Sequence, residues 1–315
     1  MPGGDFLAIV QTDVPITSGG CREAVQALTA RYPFLRSRVL TQSAFGNSIC
    51  ALSLGEGERN VIYSAAFHAN EWITTLVLLK FAEELAQAYE TGGKLYGVPA
   101  KTILKASTTH LVPMVNPDGV DLVTGATEPG TLPYVAARQI ADNFPAIPFP
   151  NGWKANMLGV DPNLQYPARW LLAREIKFRQ GFDRPAPRDY VGRAPLSQRE
   201  SIAMAELTEE VNPELVLAYH TQGKVIYWQF QDYQVPGARE LAEEFSRISG
   251  YELEDVPYES SFAGYKDWFI QSFRRPGFTI ECGLGESPLP LSQFEEIYQA
   301  NLGILVTAAL GLPKT

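Results

Sequence analysis

Sulfur and imidazole are scarce in this chain. Its 315 residues include three cysteines, Cys21, Cys50 and Cys282, and three histidines, His68, His110 and His220. The cysteines are odd in number and widely spaced, and no CxxC pair occurs. That argues against a disulfide framework or a structural zinc knuckle, and reduced thiols are the simpler reading. A basic stripe with interleaved aromatics is also missing, and the net charge is -9. Nucleic acid is therefore not an expected partner. No apolar run approaches the roughly 20 residues that span a bilayer. The apolar stretch at 74–79 is soon followed by Lys80, Glu83 and Glu84. The opening Met1-Pro2-Gly3-Gly4-Asp5 has neither the charged nor the apolar region of a signal peptide. A cytoplasmic location is the expectation, with secretion left open should a leader precede this sequence. Internal repeats and low-complexity linkers are absent as well.

What is present is ample core material. Hydrophobic residues make up 45% of the chain, enough for one large α/β domain or two small ones. Residues 61–67 form a nearly continuous apolar run, as in a buried strand. Residues 71–90 have helical spacing and stop at Gly92-Gly93. Residues 110–115 read as another buried strand, closed by the turn Asn116-Pro117-Asp118-Gly119. Short buried strands are expected at 215–219 and 278–280, and helices at 198–211, 237–248 and 291–310. Alternating strands and helices imply a layered α/β fold. The stretch 126–193 is rich in Pro, Asn, Gly and Arg, and long loops inside a compact domain are usually functional.

The sharpest local signal is Phe67-His68-Ala69-Asn70-Glu71-Trp72. His68 ends a buried strand and Glu71 opens a helix, so an imidazole and a carboxylate can converge across the turn. Catalytic zinc takes three protein ligands and keeps a fourth position open. The third ligand must come from His110 or His220. His220 follows the apolar run 215–219 and sits at a strand end, whereas His110 is expected at a strand start. Parallel strands put their C-terminal ends on one side, which favours His220. Taken alone, HxxE also fits an ordinary helix N-terminus, with Glu71 complementing the helix dipole.

Further motifs follow in order: Gly159-Val160-Asp161-Pro162-Asn163, His220-Thr221-Gln222-Gly223 and Thr279-Ile280-Glu281. With His68-x-x-Glu71 and Asn116-Pro117-Asp118-Gly119, they make the chain resemble the zinc carboxypeptidase superfamily over roughly 31–310. The nearest resemblance is to its bacterial γ-D-glutamyl-L-diamino acid endopeptidase branch. The resemblance implies a three-layer α/β/α fold with a mixed, roughly eight-stranded twisted sheet. It implies one catalytic domain over 1–315, with 1–30 as lead-in and first helix. It also implies one zinc ion per chain, held by His68, Glu71 and His220, with Glu281 as general base. Asp161 matches the carboxylate that orients the first histidine ligand. Lys154 stands where carboxypeptidases usually carry an arginine for the oxyanion; it keeps the charge but loses the bidentate fork. A solvated loop lysine is the alternative for Lys154.

Two departures bear on substrate. Carboxypeptidases carry Asn-Arg where this chain has Asn163-Leu164, so Asn163 remains and the cation that anchors a free C-terminal carboxylate is missing. Lys266 matches the position that sets side-chain preference in the S1′ pocket, and a lysine there favours an acidic group such as that of meso-diaminopimelate. A surface lysine beside Asp267 is the alternative. Tyr258 matches the mobile tyrosine that caps substrate, with Tyr265 as the fallback. Gln222 is a further candidate for substrate contact. His110 and Cys282 read as core residues, and Arg274-Arg275 as a solvated turn.

The resemblance implies a metallopeptidase cleaving the γ-D-glutamyl bond to a diamino acid in peptidoglycan-derived peptides, with a muropeptide or peptide as partner. A carboxypeptidase of unusual specificity, an amidohydrolase resembling aspartoacylase and a non-catalytic wall-peptide binder are the alternatives. Oligomeric state is not legible.

Overall fold

A computed structural model describes residues 8–311. The first five residues, read above for a signal peptide, lie outside the described residues. The strands are β1 Arg36–Gln42, β2 Ser48–Leu54, β3 Arg59–Ala65, β4 Lys94–Leu95, β5 Val98–Pro99, β6 Ser107–Val112, β7 Leu215–Thr221, β8 Val225–Tyr227, β9 Glu252–Leu253 and β10 Gly277–Cys282. The helices are α1 Ser18–Arg31, α2 Ile73–Glu90, α3 Ala100–Ala106, α4 Pro117–Thr124, α5 Leu132–Ala141, α6 Trp170–Arg179, α7 Arg199–Val211, α8 Ala238–Ser249, α9 Tyr265–Phe273 and α10 Phe294–Leu310.

Eight strands form one sheet in the order β1-β2-β6-β3-β7-β10-β8-β9, and β4 pairs only with β5. The sheet is mixed, as expected. Its centre, β6-β3-β7-β10, is parallel, while β1, β2 and β8 pair with their inner neighbours in antiparallel fashion. Continuous apolar runs make these central strands: all seven residues of β7 are buried, as a strand covered on both faces requires. Residues of α1, α2, α3, α8 and α10 pack on one face with Leu215, Leu217 and Tyr219 of β7. Residues of α6, α7 and α9 pack on the other with Val216 and Ala218. The result is three layers, helix-sheet-helix. Among the described residues no helix is long and apolar enough to cross a membrane.

Chain order places a site. After β3 the chain runs first to β6 on one side and later to β7 on the other. Such a reversal opens a crevice at the carboxyl ends of the strands, where ligands bind in open α/β sheets. His68 follows β3, and His220 lies at the end of β7.

Two expectations need correction, and one strand went unread. His110 lies within β6, not at its start, because the strand begins at Ser107 where α3 ends. Its ring is satisfied by Ser53 Oγ at 3.0 Å and Asn60 Oδ1 at 3.1 Å. The stretch 126–193 is not loop throughout, since α5 and α6 lie within it. The edge strand β1 is largely exposed and lacks the apolar alternation that would have revealed it.

The turn at Asn116 braces the loop that carries His68. Its side-chain amide donates to Phe67 O at 3.1 Å and Ala155 O at 2.9 Å, while its carbonyl oxygen caps α4 by accepting from Gly119 N at 3.1 Å. Gly119 is wedged between these loops. A Cβ there would meet Ala155 O at 2.7 Å and Ala69 Cβ at 2.8 Å. Gly119→Ala is therefore expected to destabilise the protein by about 1–3 kcal/mol through overpacking. Urea unfolding measures this, and an unchanged midpoint with an unchanged slope would refute the wedge.

Candidate active site

The loop after β3 builds half of a donor set. Ala66 adopts φ 50°, turning the chain sharply out of the sheet, and its N–H donates to Thr74 Oγ1 at 3.1 Å. His68 then leads into a short 3-10 turn, Ala69–Glu71, which brings Glu71 back beneath the imidazole. His68 Nδ1 lies 2.9 Å from Glu71 Oε1. The other half comes from β7. Side chains alternate along a strand, so His220 shares the face of Val216 and Ala218 and points toward the crevice. Its Nδ1 lies 2.8 Å from Glu71 Oε2 and 3.3 Å from His68 Nδ1.

The donor atoms of His68, Glu71 and His220 all lie within 4.8 Å of one another. Zinc–nitrogen bonds of about 2.0–2.1 Å place tetrahedral neighbours about 3.4 Å apart, close to the spacing seen here. Two ring nitrogens facing one another beside a carboxylate form an awkward proton-sharing arrangement. A shared cation resolves it. These residues fit one metal ion, and the outer contacts agree. His68 Nε2 lies 3.2 Å from Asp161 Oδ1, which selects the tautomer that leaves the Nδ1 lone pair free. Asp161 is itself held: it accepts from Asn163 N at 3.0 Å and from Asp189 N at 3.4 Å.

The electrostatics follow from burial and these neighbours. Burial alone would lower the His68 ring, but Glu71 and Asp161 outweigh it and raise the ring to about 9. Burial opposes charge on Glu71, yet His68, Lys154 and His220 hold it well below the usual carboxylate range. Burial pushes Asp161 up, and His68 pulls harder, down to about 2. Burial lifts Glu281 above the ordinary glutamate range against the pull of His220, and Glu71 adds to the lift.

Glu281 is the register partner of His220 across the β7–β10 pair. Its carboxylate lines the same cleft as His68, His220 and Lys154. Lys154 is not a solvated loop lysine: its ammonium lies 2.9 Å from Glu71 Oε1. Burial would discharge it, but Glu71 keeps it protonated. Asn163 sits with its side-chain nitrogen 3.5 Å from His220 Nε2, and its Oδ1 accepts from Tyr265 N at 3.1 Å. Leu164 puts an apolar side chain on the cleft wall.

The remaining candidates divide. Lys266 reaches the wall but is buried, donating to Gln229 O at 2.5 Å and lying 2.7 Å from Asp267 Oδ1. It is not a surface lysine. Tyr265 also borders the cleft, yet its ring is buried and its hydroxyl is 2.7 Å from Thr208 Oγ1. That hydroxyl is committed to the core and cannot cap a substrate. Tyr258 is 62% exposed, on a short 3-10 turn with its ring edge-on to Phe262, outside the residues that line the cleft. Gln222 is exposed, directly after His220 and Thr221.

Three charged cleft residues escaped the sequence reading: Lys177, Arg188 and Asp189. Arg188 and Asp189 lie in irregular chain, where no periodicity marks a direction. Lys177 carried a faint signal, because it falls seven residues after Trp170 on the buried side of α6.

Comparison with known proteins places this geometry. A zinc carboxypeptidase family model matches residues 21–303. The chain is 44% identical over 285 residues to gamma-D-glutamyl-L-diamino acid endopeptidase 1 of Lysinibacillus sphaericus, covering 90% of this chain and 69% of that one. It is 38% identical to the uncharacterized protein YqgT of Bacillus subtilis, covering 87% of this chain and 72% of that one. Among solved structures, thrombin-activatable fibrinolysis inhibitor superimposes with a TM-score of 0.73 at 17% identity, covering 96% of this chain and 76% of that one. Carboxypeptidase A of Helicoverpa armigera gives 0.69 at 16% identity, with 95% and 75% covered. At these identities the structural matches speak for the fold.

Proposed function

We infer that this chain, which belongs to the zinc carboxypeptidase family, is a metallopeptidase cleaving the amide between a γ-linked D-glutamyl residue and a diamino acid in peptidoglycan-derived peptides. The observation that carries the chemistry is the convergence of His68, Glu71 and His220 on one point with Glu281 on the adjacent strand. The substrate class rests on the 44% identical endopeptidase relative.

A zinc ion held by the three residues would polarise the scissile carbonyl and acidify water. Glu281 is placed to take the proton from the attacking water at its carboxylate oxygen and to return it to the leaving amine. Asp161 keeps the His68 ring in its productive tautomer. The Lys154 ammonium offers a positive partner for charge that develops on the acyl oxygen.

Leu164 bears on where the peptide is cut. An apolar wall gives a terminal carboxylate no grip, which disfavours simple trimming of ordinary C-termini. The tetrapeptide L-Ala-γ-D-Glu-meso-diaminopimelyl-D-Ala separates the readings by mass spectrometry. The endopeptidase reading expects L-Ala-D-Glu and the diaminopimelyl-D-Ala dipeptide, with the reaction abolished by a zinc chelator. Release of D-Ala alone would replace it with a carboxypeptidase.

A further inference from the structure

We propose that Arg188 is the specificity residue for the free α-carboxylate that a γ-linkage leaves on the glutamyl residue. This rests on the γ-glutamyl reading above and names the group that would enforce it. An ordinary α-peptide has no such charge beside its scissile carbonyl, so a cation placed there distinguishes the two linkages.

Four cations border the cleft, and their protein partners differ. Lys154 faces Glu71, Lys177 faces Asp189 at 2.6 Å, and Lys266 is engaged by Gln229 and Asp267. Arg188 donates from Nε to Asp189 Oδ2 at 2.6 Å. Among the described residues its two terminal nitrogens have no hydrogen-bond partner. A guanidinium anchored through Nε presents its other edge as a planar fork, the geometry that takes a carboxylate through two parallel bonds.

The anchor is rigid. Asp189 is gripped from both sides, by Lys177 and by Arg188. The backbone on either side of Arg188 is tied to the catalytic residues. Pro187 O accepts from Lys154 N at 2.8 Å and Ala155 N at 2.9 Å, and Asp189 N donates to Asp161 Oδ2 at 3.4 Å. Asp189 holds φ 65°, a left-handed conformation that aspartate tolerates better than most residues and that turns the chain at this point. Arg188 is therefore bracketed between the loop of Lys154 and the carboxylate behind His68. Lys154 is the proposed partner of the acyl oxygen, which puts Arg188 on the acyl side of the scissile bond. The cation missing at Leu164 is thus not replaced in kind; a different loop brings a guanidinium to a different carboxylate.

The test compares L-Ala-γ-D-Glu-meso-diaminopimelate with the same peptide carrying an amide in place of the glutamyl α-carboxylate. The enzymes are zinc-loaded wild type, Arg188→Met and Arg188→Lys. Wild type is expected to prefer the acid by about 10- to 100-fold in kcat/KM, the range of a charge-assisted pair. Arg188→Met should lose that preference by slowing only the acid substrate, with zinc content unchanged, and Arg188→Lys should keep part of it. If wild type cleaves both peptides equally, or if either variant keeps the full preference, the assignment of Arg188 is wrong while the γ-glutamyl reading stands. If wild type cleaves neither, that reading falls and this one with it. Should Arg188→Met fail to fold, the ratio for Arg188→Lys against wild type still decides.

Discussion

Replacing Glu281 with glutamine should slow turnover by about 10²- to 10⁴-fold with zinc still bound, the range of a lost general base. The substitution is nearly isosteric and leaves the strand pairing of β10 with β7 intact. Its specific effect is on proton transfer, since an amide oxygen cannot hold a proton between attack and departure. The Glu281 carboxylate makes no side-chain hydrogen bond among the described residues, while its backbone pairs with β7 and β8, so little structure depends on its charge. Measuring kcat beside zinc stoichiometry separates the outcomes. Turnover within threefold of wild type would remove Glu281 from the mechanism; lost zinc would make it a structural support of the site.

His220→Ala should have the larger effect on metal. It removes one of three donors and leaves Glu71 Oε2 without the contact it makes at 2.8 Å. Loss of an outer partner typically costs about 10- to 100-fold in metal affinity, and loss of a direct donor exceeds that. Zinc content after dialysis should fall well below one per chain, and hydrolysis should fall to background. The metal-free variant should also unfold more readily than metal-free wild type. An unsatisfied buried carboxylate oxygen costs about 1–3 kcal/mol, and the imidazole packed against Phe67 is lost with it. Full zinc occupancy in the variant would show that the ion is held elsewhere.

Much of this site was legible because the residues that build it sit where sequence patterns end. The apolar run at 61–67 stops at His68, and the run at 215–219 stops at His220. A buried apolar run that stops at a ligating residue announces itself, although the strand before His68 ends at Ala65 and β7 runs one residue past His220. The donor set at His68, Glu71 and His220 is the part that geometry brings together most clearly. Direction was harder. Lys266 borders the cleft, but its ammonium is buried against Asp267, its sequence neighbour, and the carbonyl of Gln229, 37 residues away, which no spacing rule could have paired with it. Tyr265 was the fallback to Tyr258, and helix α9 holds its ring in the core. Arg188 was invisible for a different reason. Its position depends on long-range bonds from Pro187 and Asp189, and irregular chain has no period from which to read them. Among elements, α6 was hidden by its start, where Arg169 in a left-handed conformation replaces the usual polar cap.

The register of β7 against β10 imposes a parity on this enzyme. His220 works only because it lies an even number of steps from Val216 and Ala218, and Glu281 because it is the same distance parity from Thr279. Adding or deleting a single residue upstream within either strand would turn the ring or the carboxylate to the opposite face of the sheet. It would point among the packed side chains of α2 and α10. The segments that carry Arg188 and Tyr258 obey no such arithmetic. The length of these two strands is therefore set by the chemistry itself: one face of each must serve hydrolysis while the other fills the core.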